Sequence, residues 1–262
     1  MVFGMMFREN IRFYLRTKRF QVILPLYAVL SAIIPLLMIQ GTIPKPPDVY
    51  SFTQQTLGGI ADDILLICAL LAGDAISRDF SREGYFTLTQ PVRRSVIMLA
   101  RFLSAFVAAV IVLAVAIAIG VGFSEYMYSS VVPTLPEIVF AAVLFAASLT
   151  AFVMMFSSLF KNAALSIVVS ILIVIVAMPI VQSITQFLSH IEPWFLVTYA
   201  AGVISNLSYK TYPPHVISEH LGAGRTFYVY TPSPVEGMAI MLGYLVISGF
   251  VTWAIYTRRE LK

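Results

Sequence analysis

The stretch "IMLARFLSAFVAAVIVLAVAIAIGVG", residues 97–122, carries a single charge, Arg101, in an otherwise apolar run. As a helix rising about 1.5 Å per residue it would be longer than the ~30 Å hydrocarbon core of a bilayer, too long and too oily for a soluble core helix. Working outward, five further stretches approach the same length and character: about 21–40, 57–74, 137–160, 164–185 and 236–257. The whole chain agrees, with 59% hydrophobic and 11% charged residues against the half-apolar, quarter-charged mix of soluble domains. The reading is an all-α integral membrane protein of six transmembrane helices, residues 1–262 forming one transmembrane domain.

An even number of spans puts both termini on one side, and lysine and arginine indicate which. Of the 17 basic residues, only Lys45, Lys210 and Arg225 fall on the side opposite the termini. Both termini and the loop at 75–96 are therefore expected to be cytoplasmic, with the chain crossing the cell membrane repeatedly. The net charge of +4 follows from this topology and gives no argument for nucleic acid. The first 20 residues are too long and too charged for the n-region of a signal peptide, so the first span is expected to remain as an anchor. Cys68, the one cysteine, can form no internal disulfide.

Before the first span, Phe7, Ile11, Tyr14 and Leu15 recur on one side of a helix and Arg8, Arg12, Arg16 and Arg19 on the other. Residues 1–20 thus read as an amphipathic helix in the headgroup plane, or as a charged anchor continuous with the first span. On the outer side, "IPKPP" keeps the loop near 41–56 extended. The outer loop at 186–235 opens with "QFLSHIEPWFLVTYAAGVISNL", too apolar to sit in water. It is expected to form one or two short helices that dip into or lie on the outer leaflet, with Trp194 and Tyr199 at the interface. "NLS", Asn206–Ser208, fits a glycosylation sequon on that face.

Motifs of chemistry are mostly missing. There is no G-x-x-x-x-G-K-[ST] phosphate loop and no H-E-x-x-H pair. His190, His215 and His220 all fall in the outer loop, with no metal-ligand set to join, and read as exposed or interfacial. Asp62 and Asp63 either sit in the first turn of the second span, where the helix dipole favours acids, or take part in a substrate path. Asp74 would lie about 16 Å along the helix from Asp63, which argues against an intramembrane aspartyl protease.

The loop "GDAISRDFSREGYFTLTQPVRR", residues 73–94, mixes both signs of charge. Arg78, Asp79, Arg82 and Glu83 at helical spacing, with Phe80 and Tyr85 as apolar anchors, predict a short amphipathic helix that offers a surface to another protein.

"GDAISRDFSREG" followed by "LTQPVRRSVIMLARFLS" resembles the ABC-2 type permeases, the membrane subunits of ATP-binding-cassette exporters. The resemblance extends to the amphipathic N-terminal helix, to "FSSLFKNAALS" between spans four and five, to the long outer loop and to "YTRRELK" at the end. Arg101 stands where that family often has a lysine. The resemblance implies a transport subunit without its own ATPase site, served by two ABC ATPase subunits that hold ATP and Mg and facing a second permease chain, identical or related. Arg78, Asp79, Phe80, Arg82, Glu83 and Gly84 would form the cytoplasmic coupling helix on which the ATPase docks, and Pro91, Arg93 and Arg94 would fix its return to the membrane. No cofactor is expected on this chain. The alternative is a self-contained secondary transporter or channel, although no internal repeat is visible.

Overall fold

The computed structural model describes residues 2–80, 92–187, 191–221 and 225–258. The chain opens with α1 (Val2–Arg16) and α2 (Lys18–Ile39). Next come α3 (Val49–Leu57) and α4 (Ile60–Ala72), then a single 3₁₀ turn (Ser77–Phe80). The long α5 (Arg94–Tyr128) and α6 (Leu135–Leu159) follow. After them α7 (Ala163–Ile171) runs through a π-helical segment (Leu172–Ala177) into α8 (Met178–Phe187). The chain continues with α9 (Val197–Asn206), strands β1 (Val216–Leu221) and β2 (Arg225–Tyr230), and α10 (Pro234–Arg258).

Five helices among the described residues are long and apolar enough to cross a membrane: Lys18–Ile39, Arg94–Tyr128, Leu135–Leu159, Ala163–Gln186 and Pro234–Arg258. The architecture is therefore a multi-pass helical one. The segment read as a second span differs from expectation. It is a 13-residue helix, about 20 Å long at ~1.5 Å per residue, preceded by α3 across a break at Gly58–Gly59. Its burial explains why so short a helix persists, since Ile60, Ile64, Ile67, Cys68, Leu71 and Ala72 are all enclosed by neighbours.

The core lies where α4 and α6 meet. α6 presents Ala142, Phe145, Ala146, Leu149, Val153 and Met154 inward and packs chiefly on α10 and α4. α5 turns a stripe of small residues, Ala105, Ala108, Ala109, Ala116 and Gly120, toward its partners, which lets helix axes approach closely. α2 buries only Phe20, Ile23, Tyr27, Pro35 and Met38. Its exposed Val22, Leu26, Val29, Leu30 and Ile33 form an apolar face suited to lipid. Polar side chains join the helices at a few points. Ser148 Oγ donates to Met241 O of α10 at 2.7 Å, and Cys68 Sγ donates to Ala146 O at 3.6 Å.

Two sequence expectations about the 186–235 loop change. α9, one of the short helices expected there, is inserted between α10, α6 and α4, burying Val197, Ala200, Val203 and Ile204. A Cβ on Gly237 would come within 2.4 Å of Val203 Cγ2, so this glycine permits the close approach of α10 to α9. Trp194 is exposed as expected, whereas Tyr199 is buried. The loop also holds an antiparallel hairpin, with Val216 opposite Tyr230 and Leu221 opposite Arg225, so the fold is not wholly helical. Alternation over "TFYVY" was the signal for it, masked by the surrounding oil.

Candidate functional site

Two carboxylates that the sequence placed in the 73–94 loop, Asp74 and Asp79, are buried at one end of the bundle, with Arg78 and Arg94 partly buried beside them. The residues directly after α4 stay within the protein. Ala75, Ile76 and Ser77 are at most 1% exposed, and the backbone N–H groups of Ile76 and Ser77 both donate to Ser157 Oγ of α6, at 3.1 and 3.0 Å. Ser166 of α7 donates to the carbonyl of Gly73. A side chain on Gly73 would meet the Ile167 backbone at 3.1 Å, so glycine is needed where α4 ends against α7. These contacts hold Ser77–Phe80 in one tight 3₁₀ turn against the bundle, and the rest of the expected amphipathic helix, from residue 81 on, lies outside the described residues.

Two carboxylates on this segment then reach in different directions. Asp74 Oδ2 accepts from Arg19 at the start of α2 and from Arg78 one turn on, each at 2.8 Å. The Arg78 guanidinium lies over the ring of Phe13 in α1, 4.4 Å from its centroid. Tyr14 Oη, beside it, donates to Leu71 O at the end of α4. Burial pushes the Tyr14 hydroxyl up to about 12, so it stays protonated and remains a donor.

Asp79, completely enclosed, accepts from Arg101 Nη2 of α5 at 2.6 Å and from Tyr256 Oη of α10 at 2.9 Å. Burial raises the Asp79 carboxyl above its ordinary value, and the Arg101 guanidinium and Tyr256 hydroxyl oppose that rise. Phe80 packs edge-on against the Tyr256 ring at 5.7 Å. Arg94, at the start of α5, donates to the carbonyls of Tyr256 and Thr257 at 3.4 and 3.3 Å, which would otherwise be among the orphan acceptors of the last turn of α10. One short segment thus holds α1 and α2 through Asp74, and α5 and α10 through Asp79.

The structure divides the residues that the sequence assigned to coupling. Arg78, Asp79 and Phe80 face into the protein as just described, so the exposed surface expected of Asp79 is absent. Arg93 caps α5 by backbone conformation, and Arg94 binds the end of α10. Arg82, Glu83, Gly84 and Pro91 lie outside the described residues. Arg19, Tyr14, Ser157, Arg101 and Tyr256 were not assigned to the site by sequence reasoning. For Arg101 a signal was present, because an arginine inside an apolar span needs a counter-ion.

Asp62 and Asp63 sit in the first turn of α4, as expected, at the other end of the protein. They diverge. Asp62 is exposed and lines a cleft of about 270 Å³ between α4, α8 and α9, together with Gln182, Ser183, Thr198 and Ser205. Asp63 is half-buried and is not on that cleft. Neither has an ion-pair partner among the described residues.

None of these groups pairs a nucleophile with a free base. The Asp74 and Asp79 cluster is suited to holding helices in register, and the Asp62 cleft at the other end to receiving a hydrogen-bonding or cationic group. No protein-family model matches the chain, and no characterised protein matches it significantly.

Proposed function

We propose that this chain is the membrane-spanning permease subunit of an ATP-binding-cassette exporter of the ABC-2 type. In this reading α3 and α4 together stand in place of the second of six spans, both termini are cytoplasmic, and the membrane is the cell membrane. A separate pair of ABC ATPase subunits hydrolyses ATP with Mg and docks on the 75–96 loop. A second permease chain, identical or related, faces this one.

The observation that supports the reading is the double attachment of the segment after α4. Nucleotide can bias a permease only through contacts that differ between the ATPase's states. A docking loop joined to its helices by slack would pass on little of that difference. Here the segment leading into residues 81–91 is fixed by Asp74 and Asp79 to α2 and α5, and by Tyr256 to α10.

The test is co-purification through a tag on this chain, from cells expressing it with its neighbouring genes. The expected result is a stoichiometric ATPase carrying a phosphate loop, lost in Glu83→Arg while the permease stays folded. A chain that emerges alone, or an ATPase that stays bound and coupled in Glu83→Arg, removes the coupling assignment.

A second reading, a self-contained secondary transporter or channel, is favoured by one observation. The Asp62 cleft is flanked by the helix break at Gly58–Gly59 and by Pro179, just after the π-helical segment, and interrupted helices around a polar pocket are typical of such transporters.

A further inference from the structure

Three side chains from separate parts of the outer loop region converge at the rim of the bundle. Glu192 lies ahead of α9, His215 immediately ahead of β1, and Glu236 in the first turn of α10. One ligand atom from each lies within 4.8 Å of the other two.

The hydrogen bonds around them leave the converging atoms poorly satisfied by one another. His215 Nδ1 is 2.9 Å from Thr231 O, and a carbonyl can only accept, so the ring proton is on Nδ1. That leaves Nε2, in the neutral ring, with a lone pair 3.4 Å from Glu192 Oε2. Tyr199 Oη donates to Oε1 of the same carboxylate, which turns Oε2 into the available ligand atom. The backbone N–H of Ser233 donates to Glu236 Oε2 at 3.4 Å. Each converging group therefore has an outer partner that orients it, as ligands of metal ions usually do.

In a neutral ring that lone pair faces a carboxylate oxygen, a repulsion that either a second proton on Nε2 or a metal ion between the two relieves. The spacing fits such an ion. Two ligands each about 2.1 Å from a tetrahedral centre are separated by roughly 3.4 Å, and Nε2 and Oε2 are 3.4 Å apart. We propose that Glu192, His215 and Glu236 bind a divalent transition-metal ion, zinc by preference, with a water in the fourth position. An imidazole with two carboxylates suits zinc, whereas calcium takes six to eight oxygens. The ion would join the approach to α9, the base of the hairpin and the start of α10, three segments that are far apart in sequence. This site does not depend on the transporter reading.

The experiment uses the full chain, purified in mild detergent through a histidine-free tag, stripped with EDTA and titrated with zinc chloride. Metal content is read by mass spectrometry after gel filtration, and thermal melting is followed in parallel. The expected result is one zinc per chain and a higher melting temperature, with no such response to magnesium or calcium. His215→Ala and Glu236→Gln should each weaken zinc binding roughly tenfold or more. Glu192→Gln keeps an acceptor for Tyr199, so its stripped form should melt like the stripped wild type and lose the response to zinc. Cobalt in place of zinc should give the intense visible absorption of a tetrahedral site, a reading that needs only the wild-type chain. Failure of the stripped wild type to retain zinc, equal zinc binding in all three variants, or cobalt absorption of octahedral weakness would each overturn the proposal.

Discussion

Arg101 Nη2 lies 2.6 Å from Asp79 Oδ1, joining a charge two turns inside the longest helix to one on the turn that follows α4. Both side chains are largely withdrawn from solvent, at 12% and 0% exposure, so each depends on the other for its solvation. Arg101→Leu would strand a buried carboxylate and should lower stability by about 3–5 kcal/mol, the usual penalty for half of a buried pair. Adding Asp79→Asn to Arg101→Leu should recover a large part of the loss. Thermal melting of the two single variants and the double variant in detergent measures the coupling, and strictly additive losses would disprove it.

Asp74 should show a different pattern, because one oxygen serves two arginines. The Arg19 side chain is 48% exposed, so Arg19→Gln should cost only about 0–1 kcal/mol. Asp74→Ala removes the shared acceptor of both guanidinium groups and should be far more damaging, by about 3 kcal/mol or more. If melting showed the two variants to be equivalent, Asp74 would not be the centre of this cluster.

Ser157→Ala should loosen the segment after α4 without touching any charge. It leaves the enclosed N–H groups of Ile76 and Ser77 without their acceptor, a loss of about 1–3 kcal/mol for each group left unsatisfied. Hydrogen exchange at residues 75–78 should accelerate markedly. Unchanged protection there would mean that Ser157 is a bystander.

The end of the protein opposite the Asp74 and Asp79 cluster offers a pH test at Asp48, the N-cap of α3. Hydrogen bonds from Ser51, including its backbone N–H at 2.9 Å, hold the Asp48 carboxyl below its ordinary value of 3.8. A group depressed in the folded state adds stability that is fully present above the unfolded value and is lost as pH falls through the folded one. The wild type should therefore lose the cap's contribution below about pH 4. Asp48→Asn keeps an acceptor at the N-cap but carries no such titration. Melting temperatures of the two proteins recorded between pH 6 and pH 3 should converge at the acid end, and parallel curves would refute the cap's role.

Much of the fold was legible because bilayer spans leave a coarse signal. Five of the six expected spans stand as long apolar helices, and the broad class follows from them. The second was less legible because α4 is held by burial rather than by length. Its 13 residues satisfy no rule for a spanning helix, while the residues that enclose it come from α6, α5 and α7. The N-terminal helix was readable from its arginine face, but its docking on α5 was not, since an apolar face suits lipid and protein equally. Charges were the least legible. Arg78 and Asp79 read as surface residues by type and spacing, and only the distant Arg101, Tyr256 and Phe13 make their burial tolerable. The hairpin at 216–230 was missed for a related reason, because its apolar alternation lies in a loop already rich in such residues.

The 3₁₀ turn at Ser77–Phe80 is four residues long, about 8 Å at ~2 Å per residue, and is anchored just ahead of it by Asp74 and within it by Asp79. A strut that short and that firmly bolted has almost no compliance. A push arriving from residue 81 could not be absorbed by bending there, and would reach α5 and α10 as a displacement of whole helices.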